Sequence, residues 1–374
     1  MHFIFRNVND AFYSLVQGFD GGHYNVKTCD SRNGPVLMID EPVIVTYTHP
    51  QERVLRNPVR DCNPFFHLYE SLWMLAGSND VTQLAYYVKK MLDYSDDGKT
   101  QNGAYGYRWR HAHNKPAASR THGEFEGTDQ LNILIEHLKN KPESRRAVLQ
   151  MWNVEDDLLK IDSSKDVCCN LSVMFSIRQA QGTGDEYPQD LMRWLDMTVT
   201  NRSNDLVWGM LGANFVHFTM LQEYVADCLG VHVGKYHQIT NNLHIYTSTN
   251  SGYTPKEWIA PYKTIWDTSH KEEFEPYLNS TEHIPLVNNK EVFDVEVQKF
   301  VESHGSSDGF NARQDYTEKF LRDIAWPMCM AYHWHKLKDD YNALECLQHV
   351  AHPVWRADAI EWICRRMKPI QEEN

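Results

Sequence analysis

Residues 166–178 read DVCCNLSVMFSIR, so that two adjacent cysteines lead directly into a strand-like apolar run. The chain has eight cysteines, and none forms a CxxC pair, so neither a zinc ribbon nor a thioredoxin-like motif is indicated. Without a secretory signal, free thiols are the default state. Cys168 and Cys169 are therefore either a reactive thiol with its neighbour or two buried strand cysteines.

Both strands and helices are predicted around this stretch. Two further runs, 147–152 and 195–200, have strand character. Helical spacing of apolar residues predicts three helices, at Asn63–Ala76, Leu131–Leu138 and Asn214–Leu229. Glu70 lies inside the first helix, where the pattern alone favours an exposed glutamate.

The remaining segments are less regular. Residues 179–190, rich in glycine and acidic side chains, predict a surface loop, whereas 251–311 show no clear period. The tail predicts two helices, 315–341 and 343–367, the second broken near Pro353.

Bulk composition excludes several classes of protein. The 374 residues are 42% hydrophobic and 23% charged, which is ordinary for a globular chain. No apolar run approaches the roughly 18 residues that span a bilayer, and the first residues lack the layout of a signal peptide. A net charge of −13 argues against a broad nucleic-acid surface but allows a small anionic ligand at a local arginine cluster. We expect a cytoplasmic protein.

Five short segments carry the chemistry, and their order is informative. They read SRNG at 31–34, GAYGYRWR at 103–110, SRR at 144–146, DVCCN at 166–170, and NRSNDLVWGMLGAN at 201–214 followed by NLHIY at 242–246. In content and order they resemble the thymidylate synthase family, which includes the deoxypyrimidine hydroxymethylases of bacterial viruses. The resemblance runs from about Arg32 to Tyr246 and, on these motifs, does not extend into the tail.

The resemblance implies a fold and a division of the chain. We expect an α/β (α+β) protein with a thymidylate-synthase-like mixed sheet, helices on one face, and a homodimer formed through the other face. The expected parts are a catalytic domain at 1–250, an irregular insertion or linker of the same body at 251–312, and a helical C-terminal extension at 313–374. We expect the extension to cap the body.

Chemistry at C5 of a pyrimidine explains why a cysteine is needed. That carbon is a poor nucleophile until a thiolate adds to C6, and the resulting enolate then captures an electrophilic methylene. The resemblance implies that Cys169 is this nucleophile, with 5,10-methylenetetrahydrofolate as the co-substrate and no metal. Cys168 stands where the family usually has proline, so it remains the alternative nucleophile.

The implied substrate is a deoxypyrimidine monophosphate. Arginine is the preferred partner of phosphate, and the resemblance implies that Arg32, Arg202 and Ser203 are the phosphate contacts made within one subunit. Arg145 and Arg146 match a pair that reaches across from the partner subunit, which implies a homodimer with shared active sites. By spacing alone, this pair would be a solvated helix end.

Asn214 matches the residue that reads the base. An asparagine amide suits uracil, whereas relatives that act on cytosine carry aspartate there, so dUMP is favoured over dCMP. Because the 209–214 loop is one residue longer than usual, Ala213 is an alternative match. His244 and Tyr246 match contacts to the sugar 3'-hydroxyl.

Three further matches imply catalytic and cofactor roles. Asp205 matches a pterin contact with a catalytic role. Glu70 matches a glutamate that orders water, which replaces its interpretation as an exposed residue. Tyr105 matches a tyrosine that helps to remove the C5 proton.

The product is either a methyl or a hydroxymethyl group. Residues 93–98 lack the tryptophan that methylases usually carry, and the chain ends in a polar QEEN instead of an apolar tail that seals the site. Because hydration needs an admitted water, these features favour hydroxymethylation of dUMP over methylation to dTMP.

Two other classes of protein are weighed against this interpretation. A catalytically inactive nucleotide- or RNA-binding relative would not need the complete set of catalytic residues. A metal enzyme could use His333 with His335, or His349 with His352, but these lie in an amphipathic tail without a partner at ligand spacing.

Overall fold

The computed structural model describes residues 1–31, 34–57, 60–111, 127–180, 192–247, 284–307 and 315–367. Its ten strands are β1 (His2–Phe5), β2 (Val26–Cys29), β3 (Val36–Ile39), β4 (Val43–Tyr47), β5 (Val148–Gln150), β6 (Asn170–Ala180), β7 (Met192–Asn201), β8 (Asn204–Asp205), β9 (His232–Thr240) and β10 (Leu243–Tyr246). Its α-helices are α1 (Val8–Asp20), α2 (Pro64–Leu75), α3 (Val81–Tyr87), α4 (Tyr105–His111), α5 (Gln130–Asn140), α6 (Asn214–Leu229), α7 (Lys290–His304), α8 (Trp326–Lys336), α9 (Asp340–Gln348) and α10 (Pro353–Cys364).

Two mixed sheets form the body. The larger has the order β1-β4-β9-β7-β6-β5, with parallel pairs β1/β4 and β7/β9 and antiparallel pairs between the other neighbours. The smaller has the order β2-β3-β10-β8. The expectation of an α/β fold with a mixed sheet is confirmed.

One face of the larger sheet packs against helices. Val43, Val45 and Tyr47 of β4 alternate inward and are buried, and the ring of Phe215 on α6 meets the ring of Tyr47 at 4.6 Å. The opposite face is partly open, since Met174 is 37% and Val148 is 46% exposed. Helices therefore cover one face of this sheet in the described chain.

The two central helices have clear end signals. The side chain of Asn63 accepts a hydrogen bond from the Phe66 N–H, and Pro64 occupies the first turn, so α2 begins where a cap and a proline favour it. Gly230 ends α6 with φ of 63°, a left-handed conformation that glycine adopts without steric cost. All twelve residues of α2 are buried, so this helix lies in the centre of the protein.

The C-terminal helices pack onto this centre. Tyr69 of α2 donates a hydrogen bond to the Val301 carbonyl at 2.7 Å, and Tyr332 of α8 donates to the Tyr87 carbonyl at 2.7 Å. The ring of Trp362 on α10 meets that of Phe65 on α2 at 5.5 Å. A helical C-terminal extension is therefore present and lies against α2 and α3.

The expectation of irregular structure throughout 251–312 is wrong for Lys290–His304, which form α7. The Asn289 side chain caps this helix, and its buried face is spaced three and four residues apart at Phe293, Val297, Phe300, Val301 and His304. Charged residues between these positions conceal the period. Residues 251–283 and 308–312 lie outside the described residues.

Two other boundaries differ from expectation. The single helix expected at 315–341 is shorter, because α8 begins after a π-helical turn at Leu321–Ala325 and stops before Lys338, whose φ is 66°. The break near Pro353 is confirmed, since it separates α9 from α10. Residues 179 and 180 extend β6, and the rest of the expected loop lies outside the described residues.

Candidate active site

The two adjacent cysteines occupy different environments. Cys168 is buried, and its thiol donates to the Asn170 carbonyl at 3.0 Å. Burial raises the pKa of the Cys168 thiol well above its usual range. Cys169 is half-buried, and its sulfur lies 3.5 Å from Nη2 of Arg202. The Cys169 sulfur thus has the Arg202 guanidinium beside it, whereas Arg108, the cation that acts on Cys168, is paired with Asp157.

Arg202 is held rigidly at this position. Its Nε donates to the Cys168 carbonyl and its Nη2 to the Val167 carbonyl, both at 2.9 Å. Its own backbone N–H donates to the Cys169 carbonyl at 3.0 Å. A guanidinium fixed beside a thiol favours the thiolate, which is the nucleophilic form. Ser203 follows it and is half-buried.

A buried ion pair holds the cysteine loop. Asp157 pairs with Arg108 and also accepts hydrogen bonds from the Cys168 N–H at 2.9 Å and the Asn153 N–H at 2.8 Å. Both charged side chains are buried, so removal of either partner would leave an uncompensated charge. No motif in the sequence singled out this pair.

Tyr105 lies close to the cysteine loop. Asp166 accepts a hydrogen bond from the Gly103 N–H at 2.7 Å, which ties the loop to the start of α4, and a Cβ at Gly103 would lie 2.9 Å from that carboxylate. Burial, followed by charge on Cys169, raises the pKa of Tyr105 well above its usual value. The phenol is therefore neutral at neutral pH. Its ring stacks on Phe218 of α6 at 5.9 Å.

Asn214 is the first residue of α6 and lies beside Asn204. Its Nδ2 donates to Oδ1 of Asn204 at 3.2 Å. A π-helical turn, Leu206–Ala213, leads into α6, and such a turn accommodates one additional residue, as the longer 209–214 loop requires. A Cβ at Gly209 would lie 2.6 Å from Oδ1 of Asn204, so the two amides need a glycine there.

Glu70 is buried and has a partner that the motifs did not indicate. It is 5% exposed on α2, and its Oε2 lies 2.8 Å from Nε2 of His217 on α6. His217 is 3% exposed. In an apolar helix, a lone histidine gives no signal that distinguishes a site residue from a packing residue, so the sequence could not reveal it.

Asp205 and His244 lie opposite each other in the β8–β10 pair. Oδ1 of Asp205 accepts from the N–H groups of Val207 and Trp208 at 2.7 and 2.9 Å. Its Oδ2 is buried and has no hydrogen bond with any described residue, and burial raises the pKa of this carboxyl. The ring of Tyr246 meets that of His244 edge-on at 5.6 Å.

Arg60 is a site residue that the sequence analysis missed. Its Nε donates to the Val207 carbonyl at 3.1 Å, and its guanidinium lies 4.0 Å from the ring centre of Trp208. Trp208 is 39% exposed, so a cation and an aromatic face lie next to Asp205. The contact joins distant segments and has no local signature.

Two of the expected arginines, Arg145 and Arg146, make no contact with this cluster through a hydrogen bond or an ion pair. Arg32 lies outside the described residues. Arg145 and Arg146 lie between α5 and β5 with exposed side chains, which make no hydrogen bond or ion pair within the described ranges. Within one subunit, neither side chain forms a hydrogen bond with Cys169.

The part of the chain that the structure describes has neither a metal-binding group nor a membrane-spanning helix. No group of three or more His, Cys, Asp or Glu side chains there could hold a metal ion. No helix there is long and apolar enough to cross a membrane.

Comparison with known proteins gives a consistent set of relatives. The thymidylate synthase family model matches residues 60–301. Deoxyuridylate hydroxymethyltransferase of Pseudomonas phage M6 is 41% identical over 90% of this chain and 87% of its own length. The enzyme of the same name from Bacillus phage SP01 is 34% identical over 67% of this chain and 61% of its own length. Thymidylate synthase of Bacillus mojavensis is 27% identical over 51% of this chain and 63% of its own length.

Proposed function

The chain belongs to the thymidylate synthase family, and from this premise we propose that it adds a hydroxymethyl group to C5 of dUMP. It is a folate-dependent one-carbon transferase. One observation carries the choice of product: the relative from Pseudomonas phage M6 matches 90% of this chain, whereas the thymidylate synthase of Bacillus mojavensis matches 51%. A match of that extent enters the tail, whereas the family model stops at residue 301, as expected from the motifs.

Cys169 begins the reaction by attack on C6 of the pyrimidine. Its partial exposure and its contact with Arg202 support this role, whereas the buried Cys168 thiol is held in its neutral form. The Arg202 guanidinium lies beside the nucleophile and also binds the phosphate of the substrate. Ser203 and Arg32 bind the same phosphate. From its place beside the cysteine loop, the neutral hydroxyl of Tyr105 helps to remove the C5 proton as a hydrogen-bonding group.

Asn214 reads the base. Its contact with Asn204 orients the amide, which would donate to O4 and accept from N3–H of uracil. His244 and Tyr246, adjacent on β10, bind the sugar 3'-hydroxyl. These contacts select the deoxynucleotide dUMP.

The residues around Asp205 fit a folate. The buried Oδ2 of Asp205 is an acceptor for the ring N–H donors of a pterin, and the exposed Trp208 face with Arg60 above it suits a flat, anionic molecule. When bound, 5,10-methylenetetrahydrofolate supplies one carbon at the oxidation level of formaldehyde. Asp205 orients that molecule toward C5.

The active protein is a homodimer with shared sites. Arg145 and Arg146 are exposed in one subunit and are suited to reach the phosphate held by the other. The partly open face of the larger sheet, with Val148 and Met174, is the surface through which two copies pair.

Because dUMP and folates are soluble metabolites, the enzyme acts in the cytoplasm, which is a host cytoplasm if the source is viral.

The test is to incubate the purified protein with dUMP and 5,10-methylenetetrahydrofolate and to identify both products by mass spectrometry. The expected products are 5-hydroxymethyl-dUMP and tetrahydrofolate, with release of tritium from C5-labelled dUMP. dTMP with dihydrofolate would identify a methylase, and turnover of dCMP alone would overturn the role of Asn214. No tritium release would indicate an inactive relative.

A further inference from the structure

Glu70 and His217 form a buried polar pair between two otherwise apolar helices. Nε2 of His217 lies 2.8 Å from Oε2 of Glu70, although the groups are not aligned as a hydrogen bond. Glu70 Oε2 and both ring nitrogens of His217 are buried and make no hydrogen bond with any described residue. Such atoms are costly to bury, so they indicate a site for a small polar molecule.

The groups around this pair are consistent with a water site. His67 lies one turn before Glu70 on α2, and burial, followed by charge on Arg60 and on His217, lowers the pKa of His67 well below its usual value. The His67 ring is therefore neutral at neutral pH. A buried water needs two to four polar partners, and the carboxylate with the imidazole supplies that number.

The pair also lies beside the residues that handle the base. Asn214, His217 and Phe218 share one face of the first turns of α6, since they are spaced three and four residues apart. Asn214 contacts Asn204, and Phe218 stacks on Tyr105, which lies next to Cys169. His217 thus lies one helical turn from the residue that reads the pyrimidine.

We propose that His217 is a positioning residue that, with Glu70, holds the water that attacks the exocyclic carbon and so directs the reaction to a hydroxymethyl product. The inference deepens the proposed function and rests on it. Without a water held at this point, the exocyclic carbon would remain unreacted until another nucleophile added to it.

The step balances without an oxidant or a reductant. After the folate nitrogen leaves, the nucleotide on Cys169 carries a C5=CH2 group conjugated with the C4 carbonyl. The water oxygen forms a bond to CH2, its proton passes to the Glu70–His217 pair, and the electron pair moves into the C4 enolate. Collapse of the enolate restores C5=C6 and breaks the bond from C6 to the Cys169 sulfur.

The test compares two rates in the wild type and in His217→Leu. Tritium release from C5 reports all steps up to proton removal, and 5-hydroxymethyl-dUMP reports the water step as well. In a single turnover with enzyme in excess, we expect His217→Leu to keep the rate of tritium release within a few-fold of the wild type, while the rate of 5-hydroxymethyl-dUMP formation falls on the order of 10²-fold, the range of positioned proton transfer. The stalled nucleotide should be trapped by an added small thiol, which adds to C5=CH2.

Two matched variants separate positioning from packing. His217→Gln replaces the imidazole with a polar amide and should recover part of the product. His304→Asn changes a buried histidine of α7 outside the site and should leave the ratio of the two rates unchanged. In the ligand-free protein, Glu70→Gln should shift the NMR signals of the His217 ring.

If the ratio of the two rates is the same in His217→Leu as in the wild type, the role of His217 is overturned, while the proposed function still stands. Unchanged His217 ring signals in Glu70→Gln would also overturn this role. If the wild type makes dTMP and dihydrofolate, the proposed function fails, and the water step fails with it. The wild-type product and the variant ratio therefore distinguish the two failures.

Discussion

Nη2 of Arg202 lies 3.5 Å from the sulfur of Cys169, while the same guanidinium is held by the Cys168 and Val167 carbonyls. One arginine thus joins the nucleophile to the expected phosphate site. Under the proposed function, the phosphate of the substrate and the Cys169 thiol would lie beside the same fixed charge.

The two cysteines should respond differently to substitution. Cys169→Ser should abolish the covalent adduct with a 5-fluoro analogue of dUMP, because serine is a far weaker nucleophile. Cys168→Ser should retain the adduct, since that side chain faces the interior. Mass spectrometry of the denatured complex measures both, and an adduct that survives in Cys169→Ser but not in Cys168→Ser would reverse the assignment.

Shared active sites predict complementation between inactive subunits. Arg145→Ala/Arg146→Ala subunits should lose affinity for dUMP, and Cys169→Ser subunits should lose chemistry. Refolding the two together should restore activity, because one site of each mixed dimer has an intact cysteine and an intact arginine pair. If the mixture remains as inactive as its components, each site is built from one subunit.

Asn214 should determine the choice of base. Asn214→Asp should lower kcat/KM for dUMP by about 10²-fold and raise turnover of dCMP, because a carboxylic group matches the donor and acceptor pattern of cytosine. Gly209 and Asn204 remain as they are in this variant. A change at Asn214 that affects dUMP and dCMP equally would remove it from base recognition.

Asp358 predicts a pH-dependent stability. It is 5% exposed on α10, and burial raises its pKa to about 7, above an ordinary value of about 3.9. The folded state binds the Asp358 proton more tightly than the unfolded state does. The contribution of this group to the free energy of unfolding is therefore fully present below about pH 4 and is lost as pH rises through 7. Asp358→Asn should therefore be more stable than the wild type at about pH 8, by on the order of 3 kcal/mol, and similar to it at about pH 4.

Urea unfolding at the two pH values measures this difference. Asp162→Asn, an exposed carboxyl, serves as the control and should leave the pH dependence unchanged. A stability difference between Asp358→Asn and the wild type that does not vary with pH would refute the assignment.

Parts of the fold with strong local signals could be predicted from the sequence. Helix α6 was bounded correctly at Asn214 and Leu229, because its apolar run ends at a glycine suited to positive φ. Strands β1 and β4, by contrast, have four and five residues and are defined by pairing with each other and with β9. Such pairing is long-range and leaves little trace in a short segment.

In the site, too, residues with a local sequence signal could be predicted, whereas residues defined by long-range contacts could not. The motifs indicated Cys169, Arg202 and Asn214. In the structure Arg202 contacts Cys169, and Asn214 contacts Asn204, while the catalytic roles of the three residues stay predictions. The partners His217 and Arg60 gave no signal, because each acts across a contact between distant segments. A buried histidine and a buried arginine can be distinguished from packing residues only once their neighbours are known.

The most direct test of the central claim is to run the reaction in water labelled with a heavy isotope of oxygen. We expect that the product from dUMP gains one CH2O unit and that its new hydroxyl carries the solvent label. A product that gains only CH2, carries no label and appears together with dihydrofolate would contradict it.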